Sequence, residues 1–201
     1  MAPKITVTTI KLKIAYFVSR LFDAAFWVLP LGAIAIFSSH FDNHNRLLRA
    51  TGLLFFAGIL PFAILIYWLK KGKISDIDFT NKEERTAYIK VILSFWTLAL
   101  IFTWALSGPR LILVLLTSAI IIGALVLIIN LYWKISNHAL VVTIIGFLTN
   151  ILYGWDYWWF FFFLPLVFWS RLVLKKHTFL QLVAGTLLGC LLFIILRLFG
   201  Y

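Results

Sequence analysis

The chain has 201 residues, is 63% hydrophobic and has a mean hydropathy of +1.03. Soluble domains carry roughly 45–50% apolar residues, so a water-soluble globule is excluded and a bilayer must solvate most of the surface. A formal charge of +11 would suit nucleic acid. The basic residues, however, lie between apolar segments rather than along one soluble face, which excludes that partner and marks membrane flanks.

Apolar stretches near the roughly 20 residues that a spanning helix needs fall at residues 16–37, 51–69, 90–107, 109–133, 135–153, 155–169 and 178–200. The expectation is an all-α integral membrane protein, a bundle of about six to seven transmembrane helices forming one domain over residues 1–201. Lys4, Lys11 and Lys13 precede the first stretch with no small-residue cleavage pattern behind them, so that stretch reads as a retained span. Asp23 lies within it near Arg20, and pairing of the two is expected. His40 and His44 are spaced for one helix face, but only Asp42 stands nearby, and no metal is expected there.

The sizeable polar insertion, residues 70–90, reads as a loop. It carries Lys70, Lys71, Lys73, Lys82, Arg85 and Lys90 together with Asp76, Asp78, Glu83 and Glu84. Its bases could clamp phosphate oxygens, arginine offering a planar fork; its acids could instead pair with those bases. Asp156 completes the seven acids, a scarcity that limits hard-cation chemistry. The single cysteine, Cys190, leaves no internal disulfide.

A second cluster, Lys134-Ile135-Ser136-Asn137-His138, opens the fifth span, with Ser136 as the N-cap candidate. The sixth span is short and aromatic, with Trp155, Trp158, Trp159, the run Phe160 to Phe163, and Trp169 suited to headgroup level. The third cluster is Ser170-Arg171, five residues, His177, three residues, Gln181. There Arg171 ends one helix, and His177 with Thr178 begins the next. A helix start presents unpaired N–H groups to a phosphate. Gln181, four residues on, shares the face of His177 and can accept from one imidazole nitrogen, leaving the other to attack phosphorus. Two histidines at separate helix starts permit one to attack and the other to protonate the leaving oxygen. Gly185 and Gly189 permit close helix packing, expected within the chain.

Counting spans places all three clusters on the side of the N-terminus. That side carries fourteen of the 18 lysines and arginines, so it is expected to face the cytoplasm, the membrane being a plasma or inner membrane.

These clusters resemble the signature of the type 2 phosphatidate phosphatase superfamily, which includes lipid phosphate phosphatases, undecaprenyl pyrophosphate phosphatases and vanadium haloperoxidases. Its third motif is Ser-Arg, five residues, His, three residues, Asp: Ser170, Arg171 and His177 match, and Gln181 replaces the aspartate. Its second, Pro-Ser-Gly-His, is matched by Ser136 and His138, with departures at Ile135 and Asn137. Its first is Lys, six residues, Arg-Pro. Arg85 is followed here by Thr86, and Asp78 stands where the lysine would be.

The resemblance implies a phosphatase-like core over about residues 70–200 and a metal-independent lipid phosphatase without cofactor, acting on a membrane lipid phosphate or polyprenyl (pyro)phosphate. His177 would be the nucleophile and His138 the acid, with Gln181 orienting His177. Arg171, Ser136 and Arg85 would bind phosphate, with Lys73 or Lys82 replacing the missing lysine and Lys134 adjoining the second motif. An amide carries no charge to stabilise a developing imidazolium, so a slower enzyme, or one tuned to a different substrate, is expected. Two other readings are a non-catalytic lipid-phosphate-binding or scaffold protein and a magnesium-dependent prenyltransferase, the latter suggested by Asp76-Ile77-Asp78.

Overall fold

The computed structural model describes residues 7–23, 27, 30–33, 36 and 46–201; His40, Asp42 and His44 lie outside them. The described residues are all-helical: α1 (Val7–Leu21), α2 (Arg46–Leu54), a π turn (Phe55–Ile59), α3 (Leu60–Lys70), α4 (Lys82–Ala105), α5 (Arg110–Asn130), α6 (Asn137–Tyr153), a 3₁₀ run (Trp155–Phe162), α7 (Phe163–Val173) and α8 (Phe179–Leu198). Four helices, Leu47–Lys70, Lys82–Ala105, Arg110–Asn130 and Phe179–Leu198, are long and apolar enough to cross a membrane, and Asn137–Tyr153 is a shorter apolar helix. They fit a membrane-integral protein. Large apolar side chains such as Leu98, Ile101, Trp104, Ile121, Ile128, Leu187 and Ile194 are exposed, as expected where lipid rather than water is the neighbour.

Lipid offers no hydrogen bonds, so polar groups on the spans must be satisfied internally. Ser94, Thr97, Ser118, Thr143 and Thr186 each donate a hydroxyl to the carbonyl four residues back, at 2.7–3.1 Å. This back-bonding lets hydroxyls sit in apolar helices at little cost.

The chain forms two compact units. One comprises Met1–Trp27 and Ile135–Phe193, the other Val28–Lys134 and Ile194–Tyr201.

In the second unit the run from Arg46 to Lys70 is continuous but loosens to a π turn just ahead of Pro61. The α-helical donor for the Ala57 carbonyl would be residue 61, a proline with no N–H. That carbonyl accepts the Trp96 indole N–H at 3.1 Å, and the Pro61 carbonyl accepts the Tyr88 hydroxyl at 3.0 Å. Two polar contacts from α4 thus secure the irregular turn, and Ile36, Leu53, Ala99, Ile112 and Leu116 pack the core beside it.

Helix α4 begins at Lys82, eight residues before the expected span, so Lys82, Arg85 and Lys90 are helical rather than in a loop. The cause is local. The Asn81 side chain accepts from the Glu83 N–H at 2.8 Å, and Glu83 and Glu84 occupy the first turn, where the helix dipole favours acids. Glu84 also accepts from the Ser75 N–H and hydroxyl at 2.8 and 2.9 Å, pinning the remaining loop. Asn81→Ala should cost about 1 kcal/mol, measured as a lower unfolding midpoint in detergent, with Asn81→Asp retaining stability.

In the first unit α1 packs against α7, and the 3₁₀ run packs against α6. The buried stripe of α1 is Ala15, Val18, Ser19, Phe22 and Asp23, a helical period carried two residues past the helix end. The helix stops at Leu21, so the expected span over residues 16–37 is not one continuous helix. Val18, Phe22, Val142 and Val167 form the core of this unit.

Helix α6 starts at Ser136, whose hydroxyl accepts from the Ala139 N–H at 3.4 Å, and it ends at Gly154 with φ of 101°. Only glycine enters that conformation without strain. The chain then winds into the 3₁₀ run, and Pro165 falls in the first turn of α7, where its missing N–H is harmless. Helices α6 and α8 touch through the two glycines anticipated for packing. A Cβ on Gly185 would lie 2.4 Å from the Ser136 carbonyl oxygen, and one on Gly189 would lie 2.7 Å from the Thr143 Cβ.

Candidate functional site

Five of the expected site residues, Ser136, His138, Arg171, His177 and Gln181, belong to the first unit. The hairpin between α7 and α8 explains the Arg-x₅-His spacing. Helix α7 closes with the Lys176 N–H on the Arg171 carbonyl and the Lys175 N–H on the Leu172 carbonyl, both at 3.0 Å. This is a Schellman closure, and Lys175 occupies its left-handed position with φ of 53°. The chain reverses there, so six residues carry it from Arg171 at the end of α7 to His177 just ahead of α8.

Thr178 and Gln181 then form a reciprocal cap. The Thr178 N–H donates to Gln181 Oε1 at 3.1 Å, and the Gln181 N–H donates to Thr178 Oγ1 at 3.4 Å. The backbone donor fixes the Gln181 amide oxygen toward the loop. His177 Nδ1 lies 3.3 Å from that same oxygen, so Nδ1 is the donor, and in the neutral ring the lone pair falls on Nε2. Gln181 thus both caps α8 and sets the tautomer of His177.

Gln181→Glu keeps both roles and adds a charge beside the ring. A carboxylate beside the ring stabilises the positive charge that develops as an imidazole attacks, so any phosphate release that depends on His177 should show a kcat raised several-fold in steady-state assays. Gln181→Ala should lower stability by about 1 kcal/mol.

Ser19 on α1 and Asp23, two residues past its end, reach two of these residues. Arg171, 1% exposed, donates through Nη1 to the Ser19 hydroxyl at 2.5 Å. Asp23, one turn beyond Ser19, lies 4.0 Å from His138 Nε2 and accepts from Arg20 Nη1 at 2.9 Å, as expected for that pair. The Ser136 N–H donates to the Gln181 carbonyl at 3.1 Å, tying the start of α6 to the first turn of α8. Ser170 is fully buried, and its hydroxyl has no hydrogen bond among the described residues.

Contacts within the first unit thus link Arg171 to Ser19, His138 to Asp23, and His177 through Gln181 to the start of α6. A guanidinium can bind an oxyanion, and an imidazole can serve as a nitrogen nucleophile or a nitrogen acid. Ser19 and Asp23 escaped the site reading of the sequence. Asp23 carried a signal, since an ionisable residue inside an apolar stretch is a functional candidate by default; Ser19 carried none.

Lys73, Lys82, Arg85 and Lys134 belong to the second unit. Lys82 Nζ donates to the Leu131 carbonyl at the C-terminal end of α5, a favourable place for a cation. The Lys73 ammonium lies 6.0 Å from the centre of the Trp68 ring, within cation–π range. Arg85 is buried, with Nε and Nη1 lacking hydrogen bonds among the described residues. Lys134 lies in the connection from α5 to α6. In the loop, Asp76 accepts from the Thr80 N–H at 3.3 Å, a turn-forming role.

No family model matches the chain, and neither a curated protein nor a solved structure is matched.

Proposed function

We propose that the protein is a membrane-embedded phosphatase that hydrolyses a lipid phosphate or polyprenyl (pyro)phosphate through a phosphohistidine on His177. The observation that carries this reading is the cap around His177. It commits Nδ1–H to Gln181, which in the neutral ring leaves the lone pair to Nε2, in the unit that buries Arg171 and His138.

In the proposed reaction Nε2 of His177 attacks phosphorus, and the bond from phosphorus to the leaving oxygen breaks as His138 gives that oxygen its proton. Neutral His138 then takes a proton from water, which attacks the phosphohistidine; the P–N bond breaks and phosphate leaves. Arg171 holds the equatorial oxygens with a charge that does not titrate, and Ser136 presents its helix start to them. Arg85, Lys73, Lys82 and Lys134 belong to the second unit and are given no part in this step. The reading includes a bundle of six to seven spans with a phosphatidate phosphatase-like core, its motif face toward the cytoplasm, and no metal or cofactor.

The test is phosphate release from a panel of lipid phosphates by purified protein in detergent, with chelator present. Release that vanadate inhibits supports the reading; headgroup binding without release refutes it. That second outcome defines the other reading, a non-catalytic lipid-phosphate-binding protein. It has its own support, because Gln181 is fully employed as a helix cap.

A further inference from the structure

Helix α1 lies outside the phosphatase-like core expected over residues 70–200, yet it carries two buried polar groups into the first unit. Ser19 is fully buried, and Asp23, four residues on, is buried on the same stripe. Packing does not call for either one, because a buried polar group costs free energy unless it finds a partner. The partners they find are Arg171 and His138.

Ser19 departs from the other hydroxyls of the apolar helices. Ser94, Thr97, Ser118, Thr143 and Thr186 each donate to the carbonyl four residues back. The Ser19 hydroxyl instead accepts from Arg171 Nη1 at 2.5 Å, and among the described residues it makes no bond to its own helix. The serine therefore serves the guanidinium rather than α1. A guanidinium presents its five N–H groups in one rigid plane, so an acceptor fixed at Nη1 sets the tilt of that plane and the direction of the remaining donors. Helix α1 is itself held against α7, which carries Arg171.

Asp23 addresses the other residue. Its Oδ2 lies 4.0 Å from His138 Nε2 and accepts from Arg20 Nη1 at 2.9 Å, and the Arg20 guanidinium rests 5.0 Å from the centre of the Tyr16 ring. Tyr16 and Arg20 thus brace the carboxylate. The distance to His138 exceeds a hydrogen bond, so the coupling is by charge. A carboxylate beside an imidazole stabilises its cation, and the cation is the form that can protonate a leaving oxygen. Arg20, with 22% of its side chain exposed, is screened more than the buried pair and offsets only part of this effect.

We infer that α1 is a working arm of the site: Ser19 positions Arg171 for an oxyanion, and Asp23 supplies the counter-charge that His138 needs as the acid. Each acts through another side chain and is a positioning residue. The inference rests on the proposed function for the roles of Arg171 and His138.

The test uses the full chain in detergent, a non-hydrolysable alkyl phosphonate as the binding probe, and two substrates, an alkyl phosphate and p-nitrophenyl phosphate. Ser19→Ala should raise the phosphonate Kd about tenfold, the low end of what a hydrogen bond to a charged group is worth. It should leave the ratio of kcat for the two substrates unchanged. Asp23→Asn keeps an acceptor for Arg20 and removes the charge. It should lower kcat for the alkyl phosphate about tenfold, a part of the roughly 10²–10⁴-fold that a general acid supplies, and kcat for p-nitrophenyl phosphate less than about threefold, since that leaving group needs little protonation. Phosphonate binding should not weaken in Asp23→Asn. On a His138→Ala background the same substitution should cause no further loss.

A purely structural role would move both readouts together. Parallel losses of binding and of both activities in the two variants, or no change in either, would overturn the inference even if the parent releases phosphate. An Asp23→Asn loss that persists without His138 would overturn the assignment of Asp23. Phosphonate binding by the parent without hydrolysis of either substrate would end the phosphatase reading and the task of Asp23 with it. A raised Kd in Ser19→Ala would then still uphold the arm toward Arg171, and an unchanged Kd would overturn it.

Discussion

Replacement of His177 by alanine is expected to abolish phosphate release, lowering kcat by about 10³-fold or more, as removal of a covalent nucleophile does elsewhere. The protein should remain folded. His177 precedes α8 rather than filling its interior, and the Thr178–Gln181 cap that starts the helix does not need the imidazole. A far-ultraviolet spectrum and an unfolding midpoint close to those of the parent would therefore accompany the loss. His177→Gln supplies a sharper control, since a side-chain amide can still bond Gln181 but has no basic nitrogen to attack phosphorus. It should be as inactive as the alanine variant. His138→Ala should affect substrates unequally, because protonation of the leaving group matters most when that group is a poor one. An alkyl phosphate needs the acid more than p-nitrophenyl phosphate does.

The second large effect is structural. Gly185→Leu places a side chain where even a Cβ lies 2.4 Å from the Ser136 carbonyl oxygen. The atom met is backbone, so the neighbour cannot rotate away, and α6 and α8 must separate. Overpacking typically costs about 1–3 kcal/mol, and a backbone obstacle at a helix start belongs at or beyond the upper end. The expected result is a loss of at least about 3 kcal/mol, seen as a lower unfolding midpoint and poor recovery from detergent extraction. Gly185→Ala carries the same clash without the larger branch. It should displace the start of α6, and with it His138, and reduce turnover more than stability. Gly189→Ala should destabilise as well, because its Cβ would meet the Thr143 Cβ at 2.7 Å and the Leu140 carbonyl oxygen at 2.8 Å.

Several features could be read from residue order alone, for definable reasons. Ser136 as a cap, Arg171 and His177 on either side of a helix reversal, and Gly185 with Gly189 as a packing seam are all local patterns. Each depends on residues within eight positions of one another, where helix geometry fixes which groups meet. The start of α4 was equally local but was misread. Asn81 followed by Glu83 and Glu84 is a cap with an acidic first turn, whereas the density of charge over residues 70–90 points to a loop. The π turn at Phe55–Ile59 had only Pro61 as its signal.

The contributions of α1 were of a different kind. The bond from Arg171 to Ser19 spans 152 residues, and no periodicity or motif in one chain specifies such a pair. Position relative to the membrane had to be inferred from charge alone, and the aromatic run was assigned to headgroup level because its composition does not show which rings face inward. The packing of Phe22 against Phe163 gave that one ring an interior surface, while Trp155, Trp158, Trp159 and Phe162 stay exposed.

The most direct test of the central claim is to trap the intermediate. Purified protein would be mixed with a lipid phosphate substrate, quenched rapidly in alkali to preserve phosphohistidine, and digested for mass spectrometry. A phosphoryl group on His177, absent from the His177→Gln variant and formed at least as fast as phosphate is released, is the predicted result. Sustained phosphate release with His177 unmodified at every quench time, or a phosphoryl group found on a different residue, would contradict it.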